Sequence, residues 1–173
     1  MFGFGKRKKV LKMTIGLING AMGTYMIMRA LSAHRMEKTG LGDLPLMLFE
    51  GSHILGIVDL LAHVHDPDEK YISAGDILKT AESVCVSYEI FSEKDVEGVF
   101  GGVSTMLSEG NPVHSTMFTG AKDAQKFMSS LLNEEEDGAS AMSRAMSLDY
   151  LDDDELIQQF KEFLSESGID PNK

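Results

Sequence analysis

With a single cysteine, Cys85, the chain can form no internal disulfide. That excludes the small disulfide-stapled scaffolds and points to a reducing compartment. Four prolines and 17 glycines in 173 residues exclude a collagen-like or low-complexity chain. Basic residues are also scarce: 16 Lys and Arg stand against 27 Asp and Glu, a formal charge of −11. So acidic a chain is unsuited to general nucleic-acid binding, because neutralising phosphates needs a basic face. No Gly-rich phosphate loop, nucleophile elbow or Cys/His zinc spacing occurs. What is present, 43% hydrophobic and 25% charged residues, is an ordinary globular composition sufficient for one domain.

The charge is segregated along the chain. Residues 1–38 carry eight basic groups against Glu37 alone, a net +7. Residues 39–133 and 134–173 each carry −9. The basic end, with its Lys6-Arg7-Lys8-Lys9 run, suits an anionic membrane surface. The plainer reading is that it contacts the acidic remainder of the same fold, or is merely solvated, because four clustered charges are a weak membrane signal. Residues 10–28 are mostly apolar, but Lys12 and Asn19 interrupt them and Gly16, Gly20 and Gly23 dilute them. That stretch reads as a buried helix, not as a membrane span or signal peptide. Its three glycines share a stripe that lets a neighbouring helix approach closely.

Apolar spacing then predicts helices throughout. The first covers residues 10–36 and ends at Thr39-Gly40-Leu41-Gly42. The second covers 44–65 and is apolar on nearly every side. An acidic loop, 66–70, precedes a third helix opening on Ser73 as N-cap with Asp76 as box partner. Ser92 and Asp95 repeat the device for a fourth helix ending near Gly110, and Asn111-Pro112 reads as a loop. A fifth helix is expected over 121–132, an acidic linker over 134–138 and a short sixth helix over 139–148. A seventh starts at Asp152 as N-cap, with Glu155 as box partner, and is stopped by Gly168. The expected fold is all-α: a single bundle of about seven helices. Residues 1–9 form a basic segment and 10–133 the main bundle. Residues 139–173 form a second unit packed on the same domain.

Two segments echo each other. Tyr71-Ile72-Ser73-Ala74-Gly75-Asp76-Ile77-Leu78 and Tyr150-Leu151-Asp152-Asp153-Asp154-Glu155-Leu156-Ile157 share one pattern of aromatic, apolar, cap and acid. Each follows an acidic turn and launches a helix, so a helix–acidic turn–helix unit is expected twice. Together with residues 57–78 and 90–100, and the run from Tyr150 through Ser167-Gly168-Ile169-Asp170-Pro171, the chain resembles the tellurite-resistance TerB family over roughly residues 44–171. The resemblance implies a bundle of about seven helices with two pseudo-repeats. It also implies a non-enzymatic, cytoplasmic stress-response component, of the tellurite or phage and colicin resistance type, acting through protein partners near the membrane. The family usually shows Asp-Gly in its acidic turns, where this chain has Asp66-Pro67 and Leu148-Asp149.

Two constellations carry the candidate chemistry. The acidic turns hold Asp66, Asp68 and Glu69 with Asp76, and Asp149, Asp152 and Asp153 with Glu155. Clustered carboxylates suit a hard cation, so weakly bound Ca²⁺ or Mg²⁺ is the expected ligand, with a basic protein partner as the other occupant. Asp66, Asp68, Asp149 and Asp152 are expected to lie exposed, and Asp76, Asp152 and Glu155 read equally well as helix caps. The second constellation is Glu50-x-x-His53, an i, i+3 pair of the type used in di-iron bundles, with His34 and Glu37 brought alongside by a helical hairpin. That supports an alternative reading as a helical metalloenzyme using Glu50, His53 and His34. A buried hydrogen bond between Glu50 and His53 is the plainer reading of the pair. A further alternative is an assembly adaptor without metal.

Overall fold

The computed structural model describes residues 3–132, 140 and 146–173. Among them are seven α-helices and no strand, so the chain is an all-α bundle. The helices are α1 (Gly3–Leu31), α2 (Ala33–Lys38), α3 (Asp43–His65), α4 (Ala74–Ser87), α5 (Val96–Met106), α6 (Pro112–Leu131) and α7 (Asp154–Glu166). A 3₁₀ turn, Asp149–Leu151, leads into α7. The expected linker 134–138 and most of the expected helix 139–148 lie outside the described residues. The end of that stretch, 146–148, is not helical.

Helix α3 is the axis of the bundle. It is long and apolar enough to cross a membrane by composition, but 72% of its apolar window is buried inside the fold. Helices α1, α4, α5 and α6 all pack on it, and α6 does so most extensively. The α3–α6 crossing is close because glycines sit at the contact. A Cβ at Gly120 would overlap the His53 carbonyl, and one at Gly56 would overlap that of Met117. Helix α7 closes the far side. Its Leu156, Ile157, Phe160 and Leu164 form one buried stripe, each worth about 2 kcal/mol when removed from water. A Schellman turn ends it, with Gly168 at φ +81° and the Ile169 N–H donating to the Leu164 carbonyl at 2.9 Å.

Several expectations change. The single helix over 10–36 is two helices, broken at Ser32 (φ −103°, ψ 10°), and it starts earlier, at Gly3. The break turns α2 so that Arg35 reaches Asp152. Asn111-Pro112 is a helix start, so α6 is longer at its beginning than expected. The Asn111 side chain accepts the His114 N–H at 2.9 Å, and proline is favoured in the first turn, where its missing N–H costs nothing. The Ser73–Asp76 capping box forms as read. At α7, however, the N-cap is Asp153, whose side chain accepts the Leu156 N–H, and not Asp152. The 3₁₀ turn takes up one residue, so the two echoing segments enter their helices one residue out of phase. Both preceding turns still contain a left-handed residue, Glu69 (φ 53°) and Leu148 (φ 51°).

The glycine stripe of α1 also differs. Gly16 and Gly20 have no described atom within 4 Å of an added Cβ, and only Gly23 approaches a neighbour, the Tyr88 hydroxyl at 3.7 Å. The core-facing side of α1 is instead Ile18, Ala21, Met22 and Tyr25. Gly120→Ala should therefore destabilise the protein by about 3 kcal/mol or more, because backbone must move. Gly20→Ala should stabilise it by about 0.5–1 kcal/mol through helix propensity alone. Urea unfolding midpoints of the two variants check this; equal effects would show that the contact assignments are wrong.

Candidate functional site

The acidic turns do not gather into one centre. Asp66 is buried (4% exposed), against the expectation that it lies open. Its carboxylate accepts the backbone N–H groups of Lys70 (3.0 Å), Tyr71 (2.6 Å) and Ile72 (2.7 Å), which folds the loop around it. Desolvation works against its ionisation, but the three N–H donors outweigh it and hold the carboxyl below the usual range. Asp68 lies exposed and pairs with Lys70 at 2.6 Å. His63 Nδ1 bonds the Asp59 carbonyl at 3.0 Å, and its Nε2 lies 3.1 Å from Glu69; these contacts, the Asp59 carbonyl foremost, raise the His63 pKa. Asp76 accepts from the Ser73 hydroxyl and backbone N–H and pairs with Arg7 at 3.0 Å, and the Ser73 bonds lead in lowering its pKa.

In the second turn, Asp149 takes Lys126, whose ammonium lowers its pKa. Asp152 takes Arg35, Asp153 caps α7 and Glu155 accepts from Gln159. Each of these acids therefore has a partner of its own. Among the described residues, no three His, Cys, Asp or Glu side chains form a group that could hold a metal ion.

The Glu50-x-x-His53 pair is the centre of a buried polar network. Glu50 is 2% and His53 0% exposed, but they do not bond each other. Glu50 receives a two-pronged contact from Arg29, through Nε and through Nη2 at 3.1 Å, and a hydrogen bond from the Tyr25 hydroxyl at 2.8 Å. Tyr25 and Arg29 stand four residues apart on α1, so one helical face supplies both. A carboxylate accepts only, so the Tyr25 proton points at Glu50. The Tyr150 hydroxyl, 3.0 Å away, therefore donates to the Tyr25 oxygen. Burial and the Glu50 charge push both phenol pKa values up.

His53 faces α6. Its Nε2 lies 2.8 Å from Asp123 Oδ2, and the carboxylate requires the proton on that nitrogen. The ring stacks on Tyr150 with centroids 3.9 Å apart. His53 Nδ1 has no hydrogen-bond partner among the described residues. With the proton on Nε2, the neutral ring leaves Nδ1 as an unused acceptor, which costs less than an orphaned donor. Lys126 extends the chain outward, 3.4 Å from Asp123 and paired again with Asp149. His34 lies exposed on α2 and joins none of this, nor does Glu37. Cys85 is buried, and desolvation raises its thiol pKa far above the usual range, so the thiolate is suppressed.

Sequence reasoning missed Asp123 and Lys126, although an i, i+3 acid–base pair on an amphipathic helix is visible there. The surface offers a groove of ≈ 400 Å³ between α6 and the start of α7, lined by Ser115, Phe118, Lys122, Asp153, Glu155 and Leu156. Phe118 is 56% exposed, and Lys122 Nζ lies 4.7 Å from its ring centroid. No protein family, curated protein or solved structure matches the chain.

The network and the Asp66 loop each set one expectation. Glu50→Gln should cost on the order of 3 kcal/mol, because it leaves Arg29 partly buried and unpaired; the companion change Arg29→Met should recover part of that loss in a double-mutant cycle read by urea unfolding. An additive pair of effects would mean that the bridge carries no coupling. The depressed pKa of Asp66 gives a pH window: its stabilisation is present above about pH 4 and is lost as pH falls through the lowered folded-state value. Asp66→Asn should accordingly lower stability at neutral pH and flatten the acid limb. An acid limb as steep as that of the parent chain would contradict this.

Proposed function

We propose that this domain works by binding and not by catalysis, as an acidic helical adaptor that receives a basic, partly apolar segment of a protein partner. The observation that carries the reading is the α6–α7 groove. It combines an exposed aromatic ring, Phe118, with two acids at the start of α7, Asp153 and Glu155. Exposed aromatics beside fixed charge are the usual anchors of an interface. Lys122 lying over Phe118 is what a cation on that ring looks like from within the same chain. The groups suited to acid–base or metal chemistry, Glu50, His53 and Asp123, are all sealed in the core and engaged with other helices.

The resemblance to TerB adds a stress-response setting to this reading, with the acidic face as its working surface. Ca²⁺ or Mg²⁺ is the less favoured occupant, since the acids would first have to leave Lys70, Arg7, Arg35 and Lys126. The test uses a synthetic amphipathic Leu/Lys peptide and isothermal titration against the full chain. The peptide should bind, and Phe118→Ala with Glu155→Gln should weaken it about tenfold or more. Binding that ignores both substitutions, or fails altogether, would remove the groove as the docking site.

A further inference from the structure

Among the described residues, nothing packs on one whole face of helix α1. At 100° per residue, Lys9, Lys12, Met13, Gly16, Gly20, Ile27 and Leu31 fall within about 60° of one direction. Met13 is 51%, Ile27 63% and Leu31 67% exposed, and nothing described approaches Gly16 or Gly20 from that side. Large apolar side chains collected on an open face mark an interaction surface.

The charge on this helix indicates what covers it. Helix α1 carries six basic residues and no acid. Three of them are used internally. Arg29 holds Glu50, Arg7 pairs with Asp76 at 3.0 Å, and Lys6 sits 5.2 Å from the Tyr71 ring centroid. The last two contacts fasten the first turns of α1 to the loop and helix start at 71–76. Lys8, Lys9 and Lys12 are exposed and make no ion pair among the described residues. The fold therefore presents a rigid helix with a basic end and an apolar continuation, on a molecule whose residues 39–173 carry −18. An anionic surface attracts this face and repels the body, which sets the orientation. A second copy laid parallel, α1 against α1, would bring two acid-free basic ends together, so like charges oppose that arrangement.

We propose that the outward face of α1 docks on an anionic lipid surface, lying in its plane. Lys9 and Lys12, with Lys8 at the flank, contact headgroups, and Met13, Ile27 and Leu31 enter the interfacial layer. The helix lies on the membrane and does not cross it, because its opposite face, with Ile18, Met22 and Tyr25, is committed to the core. This docking is independent of the α6–α7 groove, which binds its partner whether or not α1 holds lipid.

The experiment is co-sedimentation of the full chain with phosphatidylcholine vesicles, with and without phosphatidylglycerol. The chain should pellet with the anionic vesicles alone, and raised salt should release it. Changing Lys8, Lys9 and Lys12 together to Gln should weaken partitioning on the order of 100-fold. Ile27→Ser with Leu31→Ser should weaken it independently of salt, and circular dichroism checks that these surface variants keep their helices. Failure to pellet with anionic vesicles overturns the proposal, as does unchanged binding by the lysine variant. A dimer in sedimentation velocity that the Ile27→Ser, Leu31→Ser variant abolishes, without vesicle binding, also overturns it and assigns the face to a second copy.

Discussion

The close crossing of α3 and α6 is the contact on which the rest of the molecule depends. Two glycines allow the backbones to touch, Gly56 against the Met117 carbonyl and Gly120 against that of His53. At that separation the His53 ring and the Asp123 carboxylate face each other across the contact, 2.8 Å apart. Asp123 holds Lys126, and Lys126 holds Asp149. The turn that launches α7 is thereby tied to the helix pair at the centre. A larger residue at either glycine would break the first link of this series.

Burying Glu50 and His53 in the most apolar helix is unfavourable unless each finds a partner, and the fold supplies one from a different direction for each. Arg29 and Tyr25 come from α1, and Asp123 comes from α6. Tyr150 comes from the 3₁₀ turn, bonding Tyr25 and stacking on His53. Three elements distant in sequence are thus held to one helix by polar contacts that also specify their rotation. The i, i+3 pair familiar from metal-binding bundles here engages side chains of two other helices, α1 and α6. The core polar groups are occupied in this way, and the charge of the chain is divided along its sequence. The acid-free helix α1 lies at one end of the sequence, and the acidic turns and α7 follow.

The acids show how far local reading extends. The Ser73–Asp76 box is legible because both partners lie within one helical turn, where capping chemistry is decided. The same reasoning puts the α7 cap at Asp152, one residue early. The 3₁₀ turn Asp149–Leu151 shifts the helix start to Asp153 and frees Asp152 for Arg35, 117 residues away. Asp66 shows the same limit. Its residue type suggests an exposed ligand, but three consecutive loop N–H groups converge on it and draw it inside.

Helix content, the caps at Ser73 and Asn111, the stop at Gly168 and the division of charge all follow from interactions within a few residues, and sequence alone determines them. Asn111-Pro112 is as local as the rest; it reads as a loop only until its residue types are weighed as a helix opening. Which glycines are used for packing is not local. Gly16 and Gly20 carry the more suggestive spacing yet face outward, while Gly56 and Gly120, without a signal in the sequence, admit the neighbouring backbone. The partners of Glu50, His53, Asp66 and Asp152 are decided in the same way. A buried polar group takes whichever complementary atom the packed helices bring within about 3 Å, and only the tertiary arrangement sets that distance.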